Sequence, residues 1–186
     1  MKPTFLILAC TFEGGIGYKN QIPWYLPREM KKFKEITCKT TSISLKNAVI
    51  MGKNTWLSLK RPLEGRLNIV ISSNANNISD KCIVFNSLED ALHHCNFLND
   101  IENIYIIGGS RLYNECLEKY NFDIYLSLLF YNELTIDTYF DLSLVFEKYI
   151  LKKDKAYTEE HKNRQFASYI CRPKNYNNTK HNKVSK

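Results

Sequence analysis

The chain has 186 residues, 44% hydrophobic and 24% charged, with 26 basic and 19 acidic side chains. That length and balance predict one soluble globular domain, with or without a tail, and argue against wholesale disorder, a collagen-like rod and a disulfide miniprotein. The formal charge is +7, but Arg172, Lys174, Lys180, Lys183 and Lys186 follow Cys171 with no acid among them, leaving 21 basic against 19 acidic residues, or +2, over 1–171. A near-neutral body argues against a nucleic-acid reader, which carries its positive field on a folded face. Six cysteines without a CxxC pair, and no leader-like stretch after Met1, predict reduced thiols in a cytoplasmic setting. No apolar run approaches the roughly 20 residues of a membrane span.

The predicted elements alternate. Apolar, β-branched runs over Phe5–Thr11, Ala48–Met51, Asn68–Ser72, Ile83–Phe85, Ile104–Ile107 and Ile124–Leu129 read as strands. Helical segments lie between them: Pro27–Ile36, opened by a proline at its first position, Thr55–Leu59 after Gly52, Ser87–Asn96 with a Ser-x-x-Asp cap, and Ser110–Lys119 after Gly108-Gly109. This order predicts an α/β sheet with parallel crossovers. Tyr149–Tyr157 and Gln165–Cys171 flank the charged loop Thr158–Arg164 and predict a hairpin, hence a mixed sheet with an antiparallel edge. Residues 1–172 form the expected domain, and the Asn/Lys-rich stretch 173–186 reads as a basic tail or linker.

Glu29 is the most informative residue. It shares a helix face with Phe33 and Ile36, with Met30 beside them, while Arg28, Lys31, Lys32 and Glu35 take the solvated side. A carboxylate on an apolar stripe needs a partner. That partner is either the helix dipole at a stripe edge or a cationic, amidine-like ligand edge. Two prolines and Trp24 make a stiff approach to it. Upstream, Gly14-Gly15-Ile16-Gly17 lacks the spacing of a dinucleotide fingerprint and reads as a mobile flap or a plain turn. Three strand ends carry small polar or glycine residues: Met51-Gly52-Lys53-Asn54-Thr55, Ser72-Ser73-Asn74 and Ile107-Gly108-Gly109-Ser110-Arg111. Each is either ordinary turn chemistry or a phosphate-binding helix start, and several together suit a dinucleotide. Arg66, between Gly65 and a strand, is either a surface cation or a fork for a carboxylate. His93-His94-Cys95 looks metal-like, but helix neighbours point apart, and no metal is expected.

In combination, Ile22-Pro23-Trp24-Tyr25-Leu26-Pro27-Arg28-Glu29 with Phe33, Met51-Gly52-Lys53-Asn54-Thr55-Trp56, Arg61-Pro62-Leu63-Glu64-Gly65-Arg66, Ile107-Gly108-Gly109 with Tyr113, and Asp137-Thr138-Tyr139-Phe140 resemble the dihydrofolate reductase family over residues 4–171. The resemblance implies an eight-stranded mixed sheet, four helices, and NADPH-dependent reduction of 7,8-dihydrofolate to tetrahydrofolate, with hydride delivered to C6 and a proton to N5. It implies that Glu29 grips the pterin, that Trp24 holds a water, and that Ser127, where the family usually has threonine, stands behind the acid. Ile7, Leu8, Met30, Phe33, Leu59 and Leu63 resemble the walls around the substrate, and Arg66 the clamp on its α-carboxylate. Ile107 and Tyr113 resemble residues near both substrate and nicotinamide, with Ala9, Ile16 and Gly17 on the cofactor side. Lys53, Thr55, Gly108, Gly109, Ser110, Arg111 and Leu112 resemble the pyrophosphate grip, Lys53 and Ser73 the surroundings of the adenosine 2′-phosphate, and Gly52, Asn54, Ser72 and Asn74 further neighbours of the cofactor. Ile136 replaces a glycine common in the family. The resemblance also implies antifolates as inhibitors, no nucleic-acid or membrane partner, and, as in some members, fusion to thymidylate synthase. Two rival readings are a reductase of another heterocycle, such as a riboflavin-pathway pyrimidine, and a non-catalytic nucleotide- or RNA-binding module.

Overall fold

The computed structural model describes residues 1–74, 78, 80–130, 134–158 and 165–174. The loop 159–164 and the stretch from 175 onward lie outside the described residues.

The chain opens on β1 (Thr4–Thr11), whose alternation serves two core layers. Leu6, Leu8 and Cys10 enter one layer, and Phe5, Ile7 and Ala9 face the other. The short β2 (Gly15–Gly17) and α1 (Pro27–Cys38) follow, then β3 (Lys46–Gly52), α2 (Lys53–Ser58), β4 (Arg66–Ile71) and β5 (Ile83–Phe85). Next come α3 (Leu88–Phe97), β6 (Ile101–Ile106), α4 (Ser110–Lys119), β7 (Asp123–Leu129), β8 (Thr138–Tyr139), α5 (Leu142–Lys148), β9 (Tyr149–Thr158) and β10 (Gln165–Pro173).

Eight strands form one sheet in the order β5-β4-β3-β6-β1-β7-β10-β9. The pairs from β5 through β7 are parallel, and β10 is antiparallel to both its neighbours. This is the mixed sheet with an antiparallel edge that the strand and helix pattern predicts. The helix count differs from expectation. A fifth helix, α5, forms because Asp141 caps it, accepting from the Leu144 amide at 3.2 Å, and because Leu142 and Val145 reach the core.

Helices α3, α4 and α5 cover the face that carries Leu6, Leu8 and Cys10. The other face is covered by α1 and α2 through Phe33, Ile36 and Trp56. Ser87 caps α3 as its Ser-x-x-Asp pattern predicts, accepting from the Asp90 amide at 3.1 Å. All six cysteines are free thiols. Among the described residues no helix is long and apolar enough to cross a membrane.

Burial pushes the thiols of Cys10, Cys116 and Cys171 up from an ordinary 9.0 to about 12. The folded protein therefore keeps protons that the unfolded chain releases above pH 9. Stability from this source is complete below that pH and is lost as pH rises toward 12. The urea midpoint should be flat from pH 7 to 8.5 and fall steadily from pH 9 to 10.5. A midpoint constant across that range would contradict the burial of these thiols.

Candidate active site

Strands β1, β3, β4 and β6 end along one edge of the sheet, and the segments that leave them wall a cleft of about 1200 Å³. Crevices at the carboxyl ends of parallel strands are the usual ligand sites of such sheets.

Helix α1 forms one wall. Thr37 is its one buried residue. Phe33 and Ile36 are half-buried against the sheet, while Met30 is 56% exposed at the cleft mouth. The apolar stripe is thus only partly covered by protein, and its open part faces the cleft. Glu29 lies on that part, half-buried and lining the cleft. Its charge reaches across the site. Tyr113, fully buried, has its phenol pushed well above the ordinary range, first by burial and then by the Glu29 carboxylate. The Tyr113 hydroxyl donates to the Ile7 carbonyl at 2.8 Å, tying α4 to the floor strand β1. Trp24 is half-buried beside Leu26, Leu129 and Phe166, and lines the same cleft.

Ser127 does not line the cleft. It lies on β7, buried, with Ala9 and Ser168 as its register partners. The alternation of β7 puts it on the sheet face that α1 covers, behind cleft-lining Ala9.

The far end of α1 holds a cation. Arg66 opens β4, half-buried, with its Nε donating to the Glu64 carbonyl at 3.1 Å and its NH1 to Thr37 Oγ1 at 2.8 Å. Its guanidinium lies 5.9 Å from the centre of the Phe33 ring. Burial lowers its pKa, and Cys38 and Glu64 oppose that shift. An arginine in this state is still a cation, with a planar fork beside an apolar wall of Phe33, Leu59 and Leu63.

The opposite arm of the cleft is built from helix starts. Gly52 precedes α2 and Gly109 precedes α4, and neither helix has a side-chain cap, unlike α3 and α5. The first amides of α4 are therefore open to an acceptor at the cleft. A Cβ at Gly109 would lie 3.3 Å from Thr55 Oγ1, so the two helix starts approach closely. Lys53, Asn54, Thr55, Ser110, Arg111 and Leu112 line this arm with Ser72 and Ser73. Gly108 stands just behind it, against the Tyr113 ring. Asn74 is not on the wall. Its amide is bonded to Ser72 Oγ at 3.2 Å, closing a small turn.

The glycine flap is tied down. Strand β2 pairs with β8, the Phe140 amide donates to the Gly14 carbonyl at 2.8 Å, and the Lys19 amide donates to Asp137 at 2.8 Å. The latter bond and the Thr138 hydroxyl hold the Asp137 carboxyl below its ordinary pKa. Ile136 packs on Gly15, where a Cβ would come within 2.8 Å of it. Ile16 and Gly17 line the cleft from this flap.

Some cleft residues carried no advance signal. Asn20 adopts φ 61° and donates to the Asn54 carbonyl at 3.2 Å, and only the folded turn puts it there. Asn86 and Ser87 also line the cleft. They end β5, so the strand-end logic applied to Ser72 would have found them. Lys34, Arg61 and Asp137 also line the cleft; Arg61 and Asp137 stand inside blocks that carry the family resemblance and Lys34 follows Phe33, but the resemblance gives none of them a role.

A sequence model of the family described as Dihydrofolate reductase matches residues 4–172. A dihydrofolate reductase of Candida albicans is 42% identical over 125 residues, covering 63% of this chain and 64% of the relative. One of Aedes albopictus is 37% identical over 127 residues, 64% of this chain and 68% of the relative. A bifunctional dihydrofolate reductase-thymidylate synthase of Arabidopsis thaliana is 39% identical over 124 residues, 61% of this chain and 22% of that longer protein. The matched stretch thus spans just under two thirds of the Candida relative. Fold and family match agree: this is an α/β protein with a cleft at the ends of its parallel strands. The chain belongs to the dihydrofolate reductase family.

Gly14 sits at φ 82°, and a Cβ there would overlap the Phe140 carbonyl oxygen. Gly14→Ala should cost about 1–3 kcal/mol, from backbone strain and displacement of β8. The urea midpoint measures the loss, and hydrogen exchange at Gly15 and Gly17 should quicken. An unshifted midpoint would mean that the flap is not anchored as described.

Proposed function

We propose that the protein catalyses the NADPH-dependent reduction of 7,8-dihydrofolate to 5,6,7,8-tetrahydrofolate. The observation that carries this reading is the placement of Glu29 on the open stripe of α1, with a guanidinium at one end of the same wall. The two charges match a ligand with a protonatable, amidine-bearing ring at one end and a carboxylate at the other. The spacing between them is filled by Phe33, Leu59 and Leu63, which suits a flat aromatic middle.

In this reading Glu29 pairs with the 2-amino group and N3 of the pterin, satisfying a carboxylate that the apolar wall would otherwise disfavour. The negative charge favours protonation of substrate N5, and the proton arrives through water held near Trp24. Ser127 supports the acid from the sheet. Ile7, Leu8 and Met30 enclose the ring, and Arg66 forks onto the α-carboxylate. A bound NADPH would supply the hydride for C6 and be left as NADP⁺. The chain's part is to hold that cofactor along the glycine-opened arm. The amides at the start of α4, with Lys53, Thr55 and Arg111, suit a pyrophosphate, and Ser72 and Ser73 with Lys53 suit a further phosphate. Ala9, Ile16, Gly17, Ile107 and Tyr113 shape the place where the two ligands meet. The protein's contribution is positioning and charge complementarity.

Residues 1–172 make up the proposed reductase unit, with 173–186 a basic extension. Fusion to thymidylate synthase, a cytoplasmic location and sensitivity to antifolates are part of the same proposal.

The test is spectrophotometric. NADPH should be consumed only with dihydrofolate present, and far more slowly when NADH replaces it. Glu29→Gln should keep its melting temperature and lose about 10²–10⁴-fold in turnover at neutral pH. A variant as fast as the native protein would sink the assignment of the acid.

A further inference from the structure

We propose that Asn47 is a positioning residue for the Arg66 clamp, an inference that rests on the reading of Arg66 as the carboxylate-binding group. Arg66 does not hold itself in place. Its NH1 leans on Thr37 Oγ1 at 2.8 Å, and that hydroxyl spends its own hydrogen on the Phe33 carbonyl at 2.8 Å. The orientation of the guanidinium therefore depends on where the last turn of α1 sits.

That turn has a structural problem. Helix α1 ends at Cys38, so its final carbonyls have no donors within the helix. Thr37 is fully buried, and water cannot serve its carbonyl. Asn47, also fully buried, solves this from the neighbouring strand. Its amide donates to the Thr37 carbonyl at 3.0 Å and to the Lys39 carbonyl at 2.9 Å.

The other side of the same amide is equally committed. The β3–β6 register shifts between Lys46 and Ala48, which pair with Ile101 and Ile104. The one extra residue on β6 leaves the Asn103 amide out of this ladder, and Asn47 Oδ1 accepts it at 3.0 Å. The Asn103 side-chain amide adds a second bond to Oδ1 at 3.2 Å. Both amide hydrogens and the oxygen of Asn47 are thus engaged, so the group cannot turn. In the β3–β4 ladder Asn47 is also the register partner of Arg66. One rung of the sheet carries both the guanidinium and the group that fixes its support. Few side chains other than asparagine offer two donors and an acceptor at this reach.

Steady-state kinetics with two substrates test this: dihydrofolate, and 6-methyl-7,8-dihydropterin, which has the ring and no carboxylate. Asn47→Ala should raise KM for dihydrofolate about tenfold, the loss of part of a charge-assisted contact. Its kcat should stay within about twofold, since the ring end of the site is untouched. The KM for the dihydropterin should not move. Combined with Arg66→Leu, it should add nothing to the effect of Arg66→Leu alone, because both act through one contact. If Asn47→Ala fails to fold, Asn47→Ser carries the same comparison, since it keeps a small polar side chain and withdraws the two donors that reach the Thr37 and Lys39 carbonyls. Equal increases in KM for both substrates, or multiplying effects in the double variant, would overturn the proposal. A dihydrofolate KM unmoved by Arg66→Leu would overturn the underlying reading of Arg66 instead.

Discussion

The whole site depends on a helix that does not finish covering its own apolar stripe. Phe33 and Ile36 close α1 onto the sheet, but Met30 and Glu29 extend past the covered area into the cleft. A closed helix face would leave no room for a ring, and a solvated one would leave a carboxylate screened by water. The half-covered face gives a charge beside a greasy surface, where its interactions are strong and directional. Burial raises the Tyr113 phenol first, and the Glu29 carboxylate adds to that shift.

The two arms of the cleft use opposite chemistry with the same economy of means. One arm presents an anion and a cation on a rigid helix and a strand end. The other presents the backbone amides at the start of α4, which no side chain caps. Ser87 and Asp141 cap α3 and α5, whereas α1, α2 and α4 have no side-chain cap.

Much of this was legible in the residues. Strand alternation in Phe5–Thr11 and Ala48–Met51, the Ser87 cap and the proline at the head of α1 all signalled their elements, to within two or three residues at the ends. Ile83–Phe85 and Ser110–Lys119 needed no adjustment. The second sheet of β2 and β8 was not legible, because a three-residue strand and a two-residue strand carry no period, and their pairing is set by the tertiary approach of Gly14 and Phe140. Helix α5 was missed because seven residues are too few for a periodic pattern, although Asp141 was a cap in plain view. In the site, Glu29 stood out because it contradicted its own stripe. Asn20 and Asn47 could not stand out, because polar residues in a loop and beside a strand start are ordinary until a long-range contact defines them. The resemblance to a family, not local pattern, singled out Ser127, whereas the glycine and small polar residues at the strand ends marked Gly52–Thr55, Ser72–Asn74 and Gly108–Arg111 as either turns or phosphate-binding helix starts.

The position of β1 has a bearing on how this chain comes into being. Strand β1 leaves the ribosome before either of its partners, yet it sits in the middle of the finished sheet, between β6 and β7. Its neighbours are about a hundred residues away in sequence, as Phe5 with Tyr105 and Asp123 shows. At translation speeds of roughly 5–20 residues per second, that strand waits several seconds with both edges bare. Phe5–Cys10 is an uncharged, β-prone stretch of the kind that self-associates when unattended. Newly made chains therefore have most to gain from a holding chaperone before residue 129 emerges, and least afterward.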